Sequence, residues 1–247
     1  MKTCVVSARS RGAIQPLEKC AKTVPTLGTN PKNSSRGFHI LLGVLLALMP
    51  AAQVRAQFIG WACGGMDGQT GLLVCTTNGV DWFRQGVGQL GTTPLGSVAA
   101  VNGRHVWVTG DLEGGYASIY YSSNAGQTWT RQGNASSLPH QPLHKIWAMD
   151  QNVLWMVGVG GSVVVTDNGG VDWHDVSVAG YTNMLQGVTA VDQHKAWVSG
   201  EKNPDTGLAG LFYTENGGQD WLALANGIPP QTDHLLGAGY HLAPADA

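Results

Sequence analysis

The side chains in this sequence that could do chemistry are few and scattered. Asp111 with Glu113, and Glu201 with Lys202, make two small charged clusters. Carboxylates held on loops suit a glycosidase, where one acts as general acid and the other as base or nucleophile. A loop rich in glycine and acid is also simply well solvated, and that reading is preferred. His140 and His144 stand four apart in HQPLH. That is the spacing of a metal pair on a helix, but Pro139 and Pro142 argue against a helix there. No metal and no other cofactor is expected. There is no G-x-S-x-G nucleophile turn and no glycine-rich phosphate loop. Arg84 and Arg131 each follow a tryptophan by two residues, and Arg104 lies between them. These three are the candidate binding residues, able to form charge-assisted bonds to carboxylates of a protein partner. Cys63 and Cys75 are symmetric about Gln69. A hairpin turning at Gln69 would set them face to face and allow a disulfide. The other reading is two buried free thiols.

The elements that must position these residues are repeats. TTNGVDW (Thr76 to Trp82), SSNAGQTW (Ser122 to Trp129), TDNGGVDW (Thr166 to Trp173) and TENGGQDW (Thr214 to Trp221) align, the first being one residue short. Upstream of each lies a second match: GWACGG, VWVTGD, LWMVGV and AWVSGE. Further upstream comes a third: LGSVAAV from Leu95, LHKIWAM from Leu143 and LQGVTAV from Leu185. Eight of the nine tryptophans fall in register. Each repeat reads as four short strands, in the last one LQGVTAVD, KAWVSG, GLFYT and DWLAL. Asn-Gly at 78–79, 168–169 and 216–217 marks hairpins, because both residues tolerate positive φ. Four strands recurring every 40–48 residues make a propeller blade. The expected fold is all-β, a β-propeller of four-stranded blades.

The four turns resemble the Asp-boxes of BNR-type propellers, S/T-x-D-x-G-x-T-W. Paired with the upstream aromatic-Val-Gly strand, they more closely resemble the photosystem II stability and assembly factor family and its bacterial relatives, over about residues 57–242. Asp-boxes occur also in sialidases, xyloglucan-cleaving hydrolases and sorting receptors. The third box position, Asp in the motif, is Asn78, Asn124, Asn168 and Asn216 here. Its oxygen can still accept a backbone N–H, so the turn survives without the charge. Gly79, Gly126, Gly170 and Gly218 permit the tight backbone, and Trp82, Trp129, Trp173 and Trp221 are expected to pack between blades. All twelve are read as structural. The family has an arginine-rich patch on its propeller, which Arg84 and Arg131 match in part. A sialidase would need an F/Y-R-I-P arginine, and none of the three arginines has that setting.

Blade one lacks a first strand in the sequence, while LLGAGYHLAP (Leu235 to Pro244) reads as a first strand with nothing after it. The C-terminal strand would then complete the first blade and close four blades into a ring. A fragment of a longer propeller, or a ring completed by a second chain, are the alternatives.

Charge and hydropathy set the address. Residues 1–56 carry eight Lys/Arg and the single acid Glu18, while the remainder is strongly acidic and the whole chain sums to -2. An acidic body argues against nucleic-acid binding. The run Ile40 to Met49 is apolar, too short to span a bilayer, and followed by Val54-Arg55-Ala56. Residues 1–56 are read as a bacterial export signal or a two-part transit peptide, and 57–247 as the propeller. The destination is periplasmic or secreted in a bacterium, and the thylakoid lumen in a photosynthetic host. The expected function is that of a non-catalytic, protein-binding scaffold, with the resemblance implying an assembly factor for a membrane complex such as photosystem II. The alternative is a propeller that binds or hydrolyses glycans.

Overall fold

Apolar alternation between glycine-rich turns folds each repeat into an antiparallel meander. The fold is given by a computed structural model that describes residues 60–68, 70–203, 207, 209–224, 226 and 235. The first sheet holds β1 (Gly60–Asp67), β2 (Thr70–Thr76) and β3 (Phe83–Arg84) in that order. The second holds β4 (Leu95–Val101), β5 (His105–Glu113), β6 (Tyr116–Ser122) and β7 (Thr130–Arg131). The third holds β8 (Leu143–Ala148), β9 (Leu154–Gly158), β10 (Val163–Thr166) and β11 (His174–Asp175), with a 3-10 turn at Val159–Gly161. The fourth holds β12 (Leu185–Ala190), β13 (Ala196–Lys202), β14 (Ala209–Thr214) and β15 (Leu222–Ala223). These are the four-stranded blades of a β-propeller, the first shown with three strands among the described residues. The outermost strands are only two residues long, shorter than the sequence pattern implied, because the box turn consumes the residues before each.

Successive sheets stack: β1 on β4, β4 on β8, and β8 and β9 on β12. A strand between two neighbouring blades is covered on both faces, so β9 and β10 are buried at every position. The core is accordingly divided among the three junctions. Leu73, Leu95, Val106 and Trp129 fill the first, Trp107, Ile119, Leu154 and Trp173 the second, and Trp155, Val163, Val198 and Phe212 the third. Among the described residues no such packing joins the fourth sheet to the first. The expected closing strand lies outside the described residues except for Leu235, whose N–H donates to Gly200 O at 2.8 Å.

The boxes form as side-chain-clamped turns. In the third, Thr166 Oγ1 donates to Asn168 Oδ1 (2.9 Å) and accepts from Gly170 N–H (2.9 Å). Asn168 Oδ1 also accepts from Asp172 N–H, and its Nδ2 donates to the Asp172 carboxylate, both at 3.0 Å. The same bonds recur around Asn78, Asn124 and Asn216, with Thr128 accepting in place of Asp in the second box. In the shortened first box Gly79 takes the place of Gly126, Gly170 and Gly218, its N–H donating to Thr76 Oγ1 at 2.9 Å. One detail differs from the sequence expectation. The box asparagines do not adopt positive φ; Gly79, Gly169 and Gly217 do, at 75°, 73° and 73°. The asparagines contribute their amides, not their backbone tolerance.

The expected Cys63–Cys75 disulfide does not form, and Cys63 is a free thiol. The β1–β2 hairpin closes with Asp67 opposite Thr70, and an irregularity between Gly64 and Met66 shifts the register further, so Cys63 stands opposite Leu73 and Cys75 opposite Trp61. The loop position and the bulge together offset the register by two from the symmetric pairing, and the two cysteines end up as diagonal neighbours, which are about 7–8 Å apart across a sheet. Cys75 Sγ accepts from Gln85 Nε2 at 3.1 Å. Burial pushes the Cys63 thiol up to about 12, so it is inert as a nucleophile at neutral pH.

Candidate functional site

Each blade has two ends, one carrying the box turns and the other the hairpin between its second and third strands. The hairpin end gathers the chemistry. The second strand runs W-x-x-G into this end, and that glycine controls how closely the neighbouring strand approaches. A Cβ on Gly110, Gly158 or Gly200 would strike the carbonyl oxygen of Pro94, Pro142 or Met184. With no side chain there, the incoming first strand lies close and bulged, its register shifting at Leu95/Ser97, Leu143/Lys145 and Leu185/Gly187. The next N–H then donates across the gap at 3.0 Å: Asp111 to Pro94 O, Val159 to Pro142 O and Glu201 to Met184 O. Asp111 and Glu201 therefore occupy equivalent places on the blades either side of blade three, each fixed by its own backbone.

Around them lie polar groups of the first strands. Glu201 accepts from Gln186 Nε2 at 3.4 Å and from Met184 N–H at 3.5 Å, and Tyr181 OH donates to its backbone oxygen at 2.6 Å. Burial and the Glu201 charge push the Tyr181 phenol up to about 12, so it stays a donor. His144, at the start of β8, is half-buried. Burial holds its imidazole below the ordinary value, against the opposing pull of Asp111. His140 does not join it; its Nδ1 lies 2.7 Å from Gly115 O.

Glu113, read with Asp111 as a pair, has a different task. Tyr120 OH donates to Glu113 Oε2, and burial together with that carboxylate raises the phenol further still. Arg131 Nη2 donates to Glu113 O at 2.5 Å, Nη1 lies 3.9 Å from Glu113 Oε2, and the guanidinium stacks 4.2 Å above the Tyr116 ring. Arg84, at the equivalent place on blade one, donates to Thr70 Oγ1 at 2.5 Å. Both arginines thus brace the hairpin of their own blade. Arg104 sits in the β4–β5 turn, where its carbonyl accepts from Ala125 N–H of the box at 2.9 Å. Of the three candidate binding arginines, Arg84 and Arg131, the pair matched to the family's patch, stand at the hairpin end, while Arg104 lies at the box end. Sequence reasoning missed His144, Gln186 and Tyr181 as companions of the carboxylates, because their proximity depends on the glycine bulge.

No family model matches the chain. Among curated proteins a xyloglucanase from Paenibacillus sp is 27% identical over 185 residues, which is 72% of this chain and 17% of that protein. The chain therefore spans a small part of the relative's length. Among solved structures, YCF48 bound to D1 peptide matches with 17% identity and a TM-score of 0.42, over 54% of this chain and 42% of that one. The Niastella koreensis GH74 enzyme matches with 19% identity and a TM-score of 0.44, over 66% and 23%. The GH74 xyloglucanase from Xanthomonas campestris matches with 16% identity and a TM-score of 0.44, over 68% and 32%. The chain is thus similar both to a photosystem II assembly factor, as its boxes implied, and to xyloglucanase propellers. The expectation that it is not an enzyme is corrected by this finding: the curated protein that matches most of this chain is a glycan-cleaving one.

Proposed function

We propose that the chain is a polysaccharide-acting propeller whose working surface is the hairpin end, with Asp111 and Glu201 as its acid and base. The similarity to a xyloglucanase over 185 residues carries this reading. The geometry supports it: two carboxylates stand at equivalent glycine-bulged places on either side of blade three, Asp111 with His144 of blade three nearby and Glu201 accepting from Gln186 of its own blade. A glycosidase needs one carboxyl protonated to give its proton to the leaving oxygen and one ionised to activate water or attack. Export of the body, proposed from the basic leader and the apolar run at Ile40 to Met49, agrees with a substrate found outside cells. A protein-binding role is the second reading, favoured by the exposed Val80 and Trp82 at the outer face of blade one.

The test is release of reducing ends from xyloglucan by the purified chain, compared with Asp111→Asn and Glu201→Gln. Each variant should lower turnover by about 10²-fold or more, the usual worth of a positioned acid or base, with near-ultraviolet circular dichroism unchanged. No turnover and no retention on a xyloglucan affinity gel would remove the glycan reading. Full turnover in both variants would remove the two carboxylates from the chemistry.

A further inference from the structure

The junction of blades three and four holds a cavity of about 410 Å³ at the box end, within the roughly 300–1,000 Å³ of small-ligand sites. It exists because two side chains there are small. At the second junction Tyr121 and Gln132 take up the corresponding space. Tyr121 stacks on Trp107 at 4.7 Å, and its hydroxyl lies 2.5 Å from His105 Nδ1. Gln132 reaches across to the next box, its Nε2 donating to Gly169 O at 2.9 Å. Gln89 crosses the first junction in a similar way, donating to Gln127 O at 3.4 Å and accepting from Trp129 N–H at 2.8 Å. In blade three the places of Tyr121 and Gln132 are held by Val165 and Val176. No amide arm crosses, and both valines line open space with Gly217, the counterpart of Gly169.

The walls are fixed by their own backbone. On the blade-three side Val165 pairs with His174 across β10 and β11. On the blade-four side Asp192 Oδ1 accepts from His194 N–H and Lys195 N–H, both at 2.7 Å. His194 O accepts from Gly217 N–H at 2.8 Å, which ties the β12–β13 turn to the fourth box. Asp167, Gln193, Asn216 and Gln219 complete the lining. Asn216 spends its amide on Asp220. Among the described residues, Asp167, His174, Gln193 and Gln219 commit their side chains to no other hydrogen bond.

This lining suits a cation carried on an aliphatic stem. Val165 and Val176 offer apolar surface, Asp167 carries the formal charge, and the amide oxygens of Gln193 and Gln219 can accept. No Lys or Arg is in the lining. The residues that adjoin it in the chain include Asp175, Asp192, Glu215 and Asp220, against Lys195 alone of opposite sign. Such a field draws cations to the mouth. A lysine or arginine lays its methylenes along apolar surface while its charged head meets a carboxylate. We propose that this cavity seats a lysine or arginine side chain from a basic peptide segment of a partner protein. The site lies at the opposite end of the blades from Asp111 and Glu201, and it does not depend on the polysaccharide reading.

Titration of the full chain with a fluorescent tetralysine peptide, blocked at both ends, tests this by anisotropy at low salt, with the imidazole resonances followed by NMR. The peptide should bind and move the resonances of His174 and His194 while His140 stays in place, and a tetraglutamine peptide should not bind. Val176→Gln restores the crossing arm and should abolish binding. Asp167→Asn should weaken it by roughly threefold to fivefold, near the upper worth of an exposed charge pair. Asp150→Asn makes the same charge change outside the cavity and should alter it by less than about twofold. Should Val176→Gln misfold, the contrast between Asp167→Asn and Asp150→Asn decides. No binding would overturn the proposal. So would full binding in folded Val176→Gln, or equal weakening by Asp150→Asn, the mark of diffuse attraction. A xyloglucan oligosaccharide that moves the His174 and His194 resonances where the peptide does not would make the cavity a glycan site and overturn it too.

Discussion

At the scale of single residues, His144 reports most directly on the hairpin end. Burial lowers its pKa in the folded chain, and the nearby Asp111 only partly opposes this. The unfolded chain therefore takes up this proton at a higher pH than the folded one does. Stability from this group is complete above the unfolded value near 6.5, and is lost as pH falls toward the depressed folded value. Unfolding free energy measured by urea titration should fall between about pH 7 and pH 5, and His144→Gln should flatten that part of the decline. An equal slope in the variant would mean that the imidazole is solvated. The site residues were unevenly legible in the sequence. Asp111 and Glu201 could be found because they come directly after a repeated W-x-x-G. The arginine patch could not be tested by spacing, since Arg84 and Arg131 matched in sequence place but spend their guanidinia on Thr70, Glu113 and Tyr116.

At the scale of elements, the box turns show how a repeat tolerates change. Ala125 occupies the place held by Gly169 and Gly217 in the third and fourth boxes, and sits at φ 58°. A left-handed conformation costs an L-residue roughly 1–2 kcal/mol, offset in part by the greater freedom glycine has when unfolded, roughly 0.4–1 kcal/mol. Ala125→Gly should therefore stabilise the chain by up to about 1 kcal/mol, raising Tm by about 2–4 °C in calorimetry. No change would mean that the second box relaxes in solution. Strand order, blade number and box positions were readable from the repeats, because hydrophobic period and turn chemistry agree in every copy. The β1–β2 register was not. Symmetry in the sequence placed the turn at Gln69, while the hairpin closes at Asp67 and Thr70 and bulges between Gly64 and Met66, and the two together separated Cys63 from Cys75. The hairpin asparagines act through the property the sequence assigned to their side-chain oxygen, accepting a backbone N–H in every box, while the positive φ falls on the following glycine or Ala125.

At the scale of the whole molecule, each core lies between blades, so no blade is stable by itself. The two ends of the blades are chemically distinct. The box end is a row of satisfied amide clamps, whereas the hairpin end presents Asp111, His144, Gln186 and Glu201 beside glycines that let the backbone close in. A polysaccharide-acting role requires the hairpin end to be the working surface. Hydrogen exchange with and without a xyloglucan oligosaccharide tests this most directly. Slowed exchange is predicted around Asp111 to Tyr116, His144 and Glu201 to Lys202, with the box turns unchanged. Protection confined to the box turns, or none anywhere at saturating oligosaccharide, would contradict it.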